Sequence, residues 1–258
     1  MSRIKQNSIA LYTILYREIV RFIRIWSQTL LPPVISIALY FIIFGSLIGP
    51  RIGQMGGVSY IDYIVPGLIM MAIITSAYTN VVFSFFSSKF QRNIEEMLVS
   101  PMPSSVILWG FVLGGVVRGV CVGILVTGVS LFFTKLEVAY FWITILVGVL
   151  TAVLFSLAGL LNGIFAKKFD DVNIVPTFIL SPLTYLGGIF YPISLLPEFW
   201  QGVTHANPIF YMVNAFRYGM LGHSDVKVEV AFVVIIGFIV LMYGLSLWLL
   251  KKGIGIKT

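Results

Sequence analysis

The sequence contains very little cysteine, histidine or charge. Among 258 residues there are one Cys, two His, 17 Lys or Arg and 10 Asp or Glu. The single Cys121 excludes an internal disulfide, and the chain has no Cys and His cluster with metal-ligand spacing. Soluble domains average about 25% charged residues, whereas this chain has 10%. These shortages exclude an ordinary soluble domain.

Catalytic motifs are missing as well. The chain has no G-x-x-x-x-G-K-[ST] phosphate loop, so it is not expected to bind and hydrolyse a nucleotide in the usual way. His205 and His223 have no neighbouring nucleophile or carboxylate pattern, and we interpret them as interfacial hydrogen-bonding residues. We therefore expect no enzyme activity, no metal and no cofactor in this chain. The net charge of +7 reports loop orientation in a membrane protein rather than nucleic-acid binding.

Long apolar runs dominate what remains, since 59% of the residues are hydrophobic. A helix needs about 20 apolar residues to cross about 30 Å of hydrocarbon. We predict a single all-α membrane domain over residues 1–258, with six transmembrane helices at 28–48, 60–87, 106–133, 140–165, 174–191 and 228–250.

The fifth of these spans is irregular, because it contains Pro176, Pro182 and the pair Gly187-Gly188. Backbone groups freed by such breaks are tolerated only inside protein or facing water. Residues 192–223 are too broken for a span. They predict one or two short re-entrant helices at the outer surface.

Residues 1–26 have the pattern of an amphipathic helix lying at the membrane surface. One side carries the basic residues Arg17, Arg21 and Arg24, and the other carries Leu15, Ile19, Phe22, Ile23 and Trp26. An ordinary juxtamembrane segment with no further role is the alternative. The segment lacks the cleavage site of a signal peptide.

A charged stretch, residues 89–103, separates the second and third spans. Apolar side chains at Phe90, Ile94, Met97 and Leu98 follow a helical period, and the spacing allows Arg92 to pair with Glu96. Pro101 and Pro103 end such a helix. The pattern predicts a short amphipathic helix, and a solvated connecting loop is the simpler alternative.

The basic residues indicate the orientation of the chain. One side holds 12 of them: Arg3, Lys5, Arg17, Arg21, Arg24, Lys89, Arg92, Lys167, Lys168, Lys251, Lys252 and Lys257. The other side holds four: Arg51, Lys135, Arg217 and Lys227. The side richer in Lys and Arg faces the cytoplasm. Both termini and residues 89–103 are therefore expected to be cytoplasmic.

Arg118 lies about midway along the third span. A membrane-embedded charge suggests a function by default, although hydrogen bonding to broken-helix carbonyls or a dimer interface would also explain it. Small residues recur every fourth position, and such spacing lets helices pack closely. They are Gly115, Gly119 and Gly123 in the third span, and Gly159 and Gly163 in the fourth. The scarcity of buried acids argues against a proton-coupled pump.

Four segments together resemble the ABC-2 type transporter permease family over essentially the whole chain. They are NPIFYMVNAFRYG at 207–219, YIVPG at 63–67, FQRNIEEML at 90–98 and LAGLLNGIFA at 157–166. The family motif residues are Asn207, Pro208, Tyr211, Arg217 and Gly219.

The resemblance implies a bacterial inner-membrane permease that forms the translocation path of an ATP-driven exporter. It implies a homodimer, a separate ABC ATPase subunit that binds ATP and Mg, and a cytoplasmic coupling helix that docks on this ATPase. The docking residues expected from it are Phe90, Ile94 and Met97 as anchors, with Arg92, Glu95 and Glu96 setting the register. A stand-alone secondary transporter or channel, or a membrane scaffold that transports nothing, is the alternative. The sequence leaves the substrate open.

Overall fold

The structure, a computed structural model, describes residues 2–255. Lys257, which the orientation count included, lies outside the described residues. The α-helices are α1 (Arg3–Arg24), α2 (Trp26–Thr29), α3 (Leu31–Tyr40), α4 (Gly49–Ile52), α5 (Tyr60–Phe90), α6 (Asn93–Val99), α7 (Ser104–Ser130), α8 (Phe141–Phe165), α9 (Asp171–Val175), α10 (Ser181–Tyr185), α11 (Glu198–His205), α12 (Pro208–Leu221) and α13 (Val228–Lys252). Phe41–Ile48 and Pro176–Leu180 are π-helical, and Ile193–Leu195 forms a 3₁₀ turn. A small hairpin pairs β1 (Gln54–Met55) antiparallel with β2 (Val58–Ser59).

Five helical segments within residues 2–255 are long and apolar enough to cross a membrane. The first, Trp26–Ile52, joins α2, α3, the π-helical stretch and α4, and the others are α5, α7, α8 and α13. They coincide with the predicted first, second, third, fourth and sixth spans, with ends shifted by a few residues. The prediction of a mostly helical membrane protein is confirmed.

The predicted fifth span at 174–191 differs in the structure. Its helical part begins at Asp171 and ends at Tyr185, and it is divided by the π-helical stretch. Gly188 has a φ of 72°, a left-handed conformation that glycine adopts without steric cost. The helical part is therefore too short to cross a bilayer alone. The region predicted as one or two short helices, 192–223, contains α11 and α12.

Helix α5 lies at the centre of the bundle, between α7 and α8. In the most apolar 18-residue stretch of α5, 78% of the residues are buried, whereas only 17% are buried in the corresponding stretches of the first and last spanning segments. Glycines permit the close packing: a Cβ on Gly119 would lie 3.0 Å from the Ala77 Cβ, and one on Gly159 would lie 2.5 Å from the Tyr78 carbonyl oxygen. The small-residue faces predicted on the third and fourth spans therefore pack against α5.

The face through which α1 packs on the bundle is not the apolar side that the sequence assigned to the membrane. Ile14, Glu18 and Phe22 are its buried residues, whereas Ile23 and Trp26 are more than half exposed. The buried residues are spaced four apart and so form one narrow ridge along the helix.

The surface that receives this ridge explains the difference. Gly110 and Gly114 of α7 lie against Ile14 and Glu18, where an added Cβ would come within about 2.6 Å of either side chain. The missing side chains leave a groove, so α1 packs onto protein through this ridge rather than presenting its most apolar side.

The segment 89–103 also departs from the prediction. Helix α5 continues through Phe90, and Arg92 has a φ of 63° in the left-handed region. Helix α6 then runs only from Asn93 to Val99. Arg92 therefore precedes α6 instead of lying one helical turn from Glu96, and the predicted Arg92–Glu96 ion pair is not among those that the structure contains.

Candidate functional site

Helix α6 connects the ends of the two long helices α5 and α7 and has an inward and an outward side. Ile94 is fully buried in the bundle, and Met97 and Leu98 are partly buried against the same core. These three residues hold α6 on the permease. Ile94 and Met97, expected as anchors for a partner, therefore face their own chain.

The outward side of α6 combines apolar and charged groups. Phe90 is 64% exposed and Val99 is 87% exposed, while Arg92 and Glu96 are also exposed. Glu95 is half-buried. We call Phe90, Arg92, Glu96 and Val99 the α6 patch. Exposed apolar residues mixed with charges are typical of a protein-binding surface.

An aromatic cluster extends this patch toward the loop after α8. The Phe169 ring lies 4.9 Å from that of Phe86 and 5.2 Å from that of Phe90, measured between centroids. Phe169 is 47% exposed. The sequence pattern did not predict this cluster, because Phe169 lies in a charged loop and its aromatic partners are some 80 residues away.

Polar contacts fix the neighbouring chain ends. The Lys89 ammonium donates to the carbonyl oxygens of Ile164 and Ala166 at 2.6 and 2.7 Å. The Asp171 carboxylate accepts from the backbone N–H groups of Lys167 and Lys168 at 2.8 and 3.0 Å. These two hydrogen bonds lower the pKa of Asp171, because they stabilise the ionised carboxylate.

On the other flank of α6, a groove of about 510 Å³ separates it from the end of α13. Glu95, Leu98 and Val99 form one wall, and Leu250 and Lys251 lie across from them. The predicted docking segment is thus bordered by the aromatic cluster on one flank and by an open groove on the other.

The motif segment 207–219 begins at the N-terminus of α12. The Asn207 Oδ1 accepts from the Ile209 N–H at 3.0 Å, as an N-cap residue does. Its Nδ2 donates to the Leu183 carbonyl oxygen at 2.6 Å. Pro208 occupies the first turn, where a missing N–H leaves no hydrogen bond unmade.

Arg217 is only 2% exposed. Its Nη2 donates to the Gly188 carbonyl oxygen at 2.6 Å. Its guanidinium lies 4.0 Å from the centroid of the Tyr63 ring, and its Nη1 is 4.0 Å from the Asp225 carboxylate.

Asn207 and Arg217 thus donate to two carbonyl groups, those of Leu183 and Gly188, where the helical part of the broken segment ends. Helix ends leave carbonyls without intrahelical partners, and unpaired carbonyls are costly away from water. The motif therefore stabilises the break in the fifth predicted span.

The other motif residues fix α12 to its surroundings. The Tyr211 hydroxyl donates to the His205 carbonyl oxygen at 2.9 Å. The Gly219 carbonyl accepts from the Tyr140 N–H at 2.7 Å. A Cβ on Gly219 would lie 2.9 Å from the Thr144 nitrogen, so this contact with α8 requires glycine.

Arg118 lies where α7 meets the first spanning segment. Its Nη2 donates to the Thr29 carbonyl oxygen at 3.0 Å, and it has no carboxylate within 4.0 Å among residues 2–255. Hydrogen bonding to a backbone carbonyl was one of the explanations for Arg118 that the sequence left open. The contact with Thr29 favours this explanation, although it involves one of the three guanidinium nitrogens.

Near Arg118 the structure buries a carboxylate, that of Glu18, which the sequence did not predict to be buried. Glu18 is 1% exposed and accepts from the Ser84 hydroxyl at 2.6 Å and from Arg21 Nη2 at 2.9 Å. Arg21 also donates to the Asn80 side chain and backbone, at 3.0 and 3.2 Å. Glu18 lies among the basic residues of α1, next to Arg17, and such a charged stretch is expected to face solvent. The sequence therefore offered no indication that Glu18 is buried.

Together, the spanning helices and the short helix that joins two of them on one face define a polytopic membrane protein with a surface suited to a partner. Comparison with known proteins gives the class. Residues 9–221 match the family "ABC-2 type transporter". The chain is 60% identical over 250 residues to "Inner membrane transport permease YadH" of Escherichia coli, covering 97% of this chain and 98% of that protein. It is 25% identical to "Nodulation protein J" of Rhizobium leguminosarum bv. trifolii, covering 83% and 82%.

The chain belongs to the ABC-2 type transporter family and is a multi-pass transport permease of the inner membrane. The family resemblance drawn from the four sequence segments is confirmed.

Proposed function

We propose that this chain is the membrane subunit of an ATP-driven exporter and that a separate ABC ATPase docks on the α6 patch. The observation that carries the proposal is the exposed patch around α6, a short helix that directly follows the central helix α5 and packs on the bundle through Ile94. Members of this family generally work with an ATPase. This partner would bind ATP and Mg and supply the hydrolysis, and the permease would form the translocation path.

The position of α6 suits transmission of movement. Ile94 fixes α6 to the bundle core, and Lys89 fixes the end of α5 to the end of α8. A partner that moves α6 would therefore move α5 and α8 together, because packed interiors transmit displacement rather than absorb it.

The chain path supports six membrane crossings. The ends of α8 and α13 lie on the face that carries α6, as the contacts of Lys89 and the groove beside Lys251 indicate. The start of α13 lies on the opposite face, so residues 166–227 cross once. The contact of Arg217 with Gly188 favours the broken segment as this crossing, with α11 and α12 re-entering the outer leaflet.

Charge supports a cytoplasmic location for the α6 face and for both termini. Most of the basic residues belong to segments on this face, and such residues concentrate in cytoplasmic loops. The first and last spanning segments are mostly exposed on the monomer. This exposure suits lipid contact and pairing with a second copy in a homodimer.

A reconstituted complex tests the proposal. The permease is co-expressed with an ATPase encoded beside it, and the double reversal Glu95→Lys and Glu96→Lys is compared with the wild type. We expect the variant to insert into the membrane normally but to lose the ATPase during purification. ATP hydrolysis stimulated by the permease should fall at least about tenfold, because loss of even one buried charge contact weakens binding by that much.

The matched control reverses two exposed acids elsewhere, Glu137 and Glu198, and should leave both readouts unchanged. If the double reversal co-purifies the ATPase and transports like the wild type, the docking proposal is wrong. Substrate uptake by proteoliposomes that contain the permease without any ATPase would instead favour a stand-alone transporter. A panel of lipids and glycans in the ATPase assay would identify the substrate class.

A further inference from the structure

A cavity of about 750 Å³ lies between the first spanning segment and α5 and is open at the side. Its walls include the polar residues Arg21, Gln28, Thr75 and Arg118 and the apolar Met71. Neither the predicted docking segment nor the 207–219 motif contributes to it, so the proposed ATPase contact leaves this cavity unexplained.

The cavity has an excess of positive charge. Arg118 bonds only the neutral Thr29 carbonyl among the described residues, and its Nε is buried without a hydrogen-bond partner. The Nε of Arg21 is also buried and has no hydrogen-bond partner within residues 2–255. Within residues 2–255, Glu18 is the only carboxylate at ion-pair distance from Arg21, and it also lies 3.6 Å from Arg17. Arg118 is partly buried, and a cation removed from water without a counter-ion is unfavourable, so the cavity is suited to an anion.

The length of α5 indicates how deep in the bilayer Arg21 and Arg118 lie. Its 31 residues make a helix about 46 Å long, whereas the hydrocarbon layer is about 30 Å thick. Asn80, which Arg21 contacts, lies ten residues or about 15 Å before the end at Phe90. If the extra length of about 16 Å lies on the α6 side, Asn80 and Arg21 are at the boundary near the lipid phosphates, and Arg118, about midway along α7, reaches toward it from inside the layer.

The lining changes along the cavity. Arg21, Gln28 and Arg118 gather at the end of α1, whereas Ile37, Tyr40 and Met71 line the part nearer the bilayer centre. Side chains charged at one end and apolar at the other match an amphipathic molecule with an anionic head.

We propose that this cavity binds the phosphate of an anionic membrane lipid, with Arg118 and Arg21 as its cationic partners and the acyl chains along Ile37 and Met71. Arg118 is the decisive residue, because in the described part of the chain it lacks the carboxylate partner that Arg21 has. The proposal does not depend on ATP-driven export or on the α6 patch.

Native mass spectrometry and thermal unfolding of the purified, delipidated full chain test the proposal with three probes: phosphatidylglycerol, phosphatidylcholine and inorganic phosphate. We expect phosphatidylglycerol to bind and stabilise the wild type, with phosphatidylcholine at least about fivefold weaker and inorganic phosphate without effect. Arg118→Gln should weaken phosphatidylglycerol binding about tenfold or more, and Arg118→Lys should restore part of it.

Two further variants separate binding from folding. Ser36→Trp adds bulk to an exposed position of the cavity wall without touching either arginine, and it should also block phosphatidylglycerol. Arg51→Gln removes an exposed charge outside the cavity and should bind as the wild type does.

Equal phosphatidylglycerol binding by the wild type, Arg118→Gln and Ser36→Trp would overturn the proposal. Competition by inorganic phosphate at similar concentrations would overturn the lipid assignment in favour of a free anion. If Ser36→Trp converts a dimer into a monomer, the cavity wall is a contact between copies of the chain, and the lipid proposal fails.

Discussion

The Glu18 carboxylate accepts a 2.6 Å hydrogen bond from the Ser84 hydroxyl, across 66 positions of sequence. This contact joins the N-terminal helix α1 to the central helix α5. It places an acid inside the bundle at the level where Arg17 and Arg21 converge on it. The N-terminal helix is therefore attached to the bundle by charge and by packing.

The variant Glu18→Gln tests this attachment. The amide still accepts from Ser84 but leaves Arg17 and Arg21 without their carboxylate, which should cost about 1–3 kcal/mol. We expect faster trypsin cleavage after Arg17 and Arg21 and a lower unfolding temperature in detergent. Glu137→Gln, at an exposed acid, is the matched control, and cleavage at the control rate would contradict the attachment.

The contact of α8 with α5 depends on Gly159. In Gly159→Val the new Cβ would lie 2.5 Å from the Tyr78 carbonyl oxygen, so the two backbones must separate, at a cost of about 1–3 kcal/mol or more. Thermal unfolding of the purified chain measures the loss. Gly237→Val in α13 adds the same side chain where no described residue lies within 4 Å of the new Cβ, and it should be near neutral. Similar unfolding temperatures for the two variants would refute the close approach.

Substitutions of Ile94 and Phe90 should affect different properties, fold stability for Ile94 and ATPase binding for Phe90, although the two residues are four positions apart. Ile94→Ala removes a fully buried side chain and should destabilise the fold by about 2–5 kcal/mol. Phe90→Ala removes a 64% exposed ring, so its effect on unfolding should be below about 1 kcal/mol while ATPase co-purification falls. If Phe90→Ala retains the ATPase as fully as the wild type does, Phe90 is not a docking residue.

Arg217 and Asn207 should act on the same structure, the end of α10. Arg217→Gln and Asn207→Ala each leave a carbonyl, that of Gly188 or Leu183, without its donor, at a cost of about 1–3 kcal/mol each. We expect lower unfolding temperatures and faster proteolysis near residues 186–197. Arg51→Gln, at an exposed arginine, controls for loss of charge. Unchanged proteolysis in both motif variants would show that the motif does not hold this segment.

Several features were predictable from the sequence because they depend on local pattern. The five long apolar segments follow from length and composition, and the close-packing faces follow from glycines repeated every fourth residue. The break near Gly187-Gly188 was readable as well, since proline and glycine interrupt a helix wherever they stand. The family segments fixed the class of transport permease.

Other features required the folded chain. A helical period assigns Ile94 to an apolar face, but only packing shows that this face points into the permease while Phe90 points away from it. Arg92 reads as a helical residue until its left-handed backbone is seen. The partners of Asn207 and Arg217 are backbone carbonyls, which have no signature in a sequence.

By itself, the sequence determined that the chain is a helical membrane protein, since hydrophobic length and small-residue spacing act within single helices, and its four family segments indicated a permease. The tertiary structure decided that Glu18 is buried, that α1 packs on glycines of α7, and that Arg118 lines a cavity with no carboxylate partner among the residues that the structure describes. Each of these depends on which residues from distant segments meet. Burial and charge pairing are properties of that meeting rather than of the residue alone.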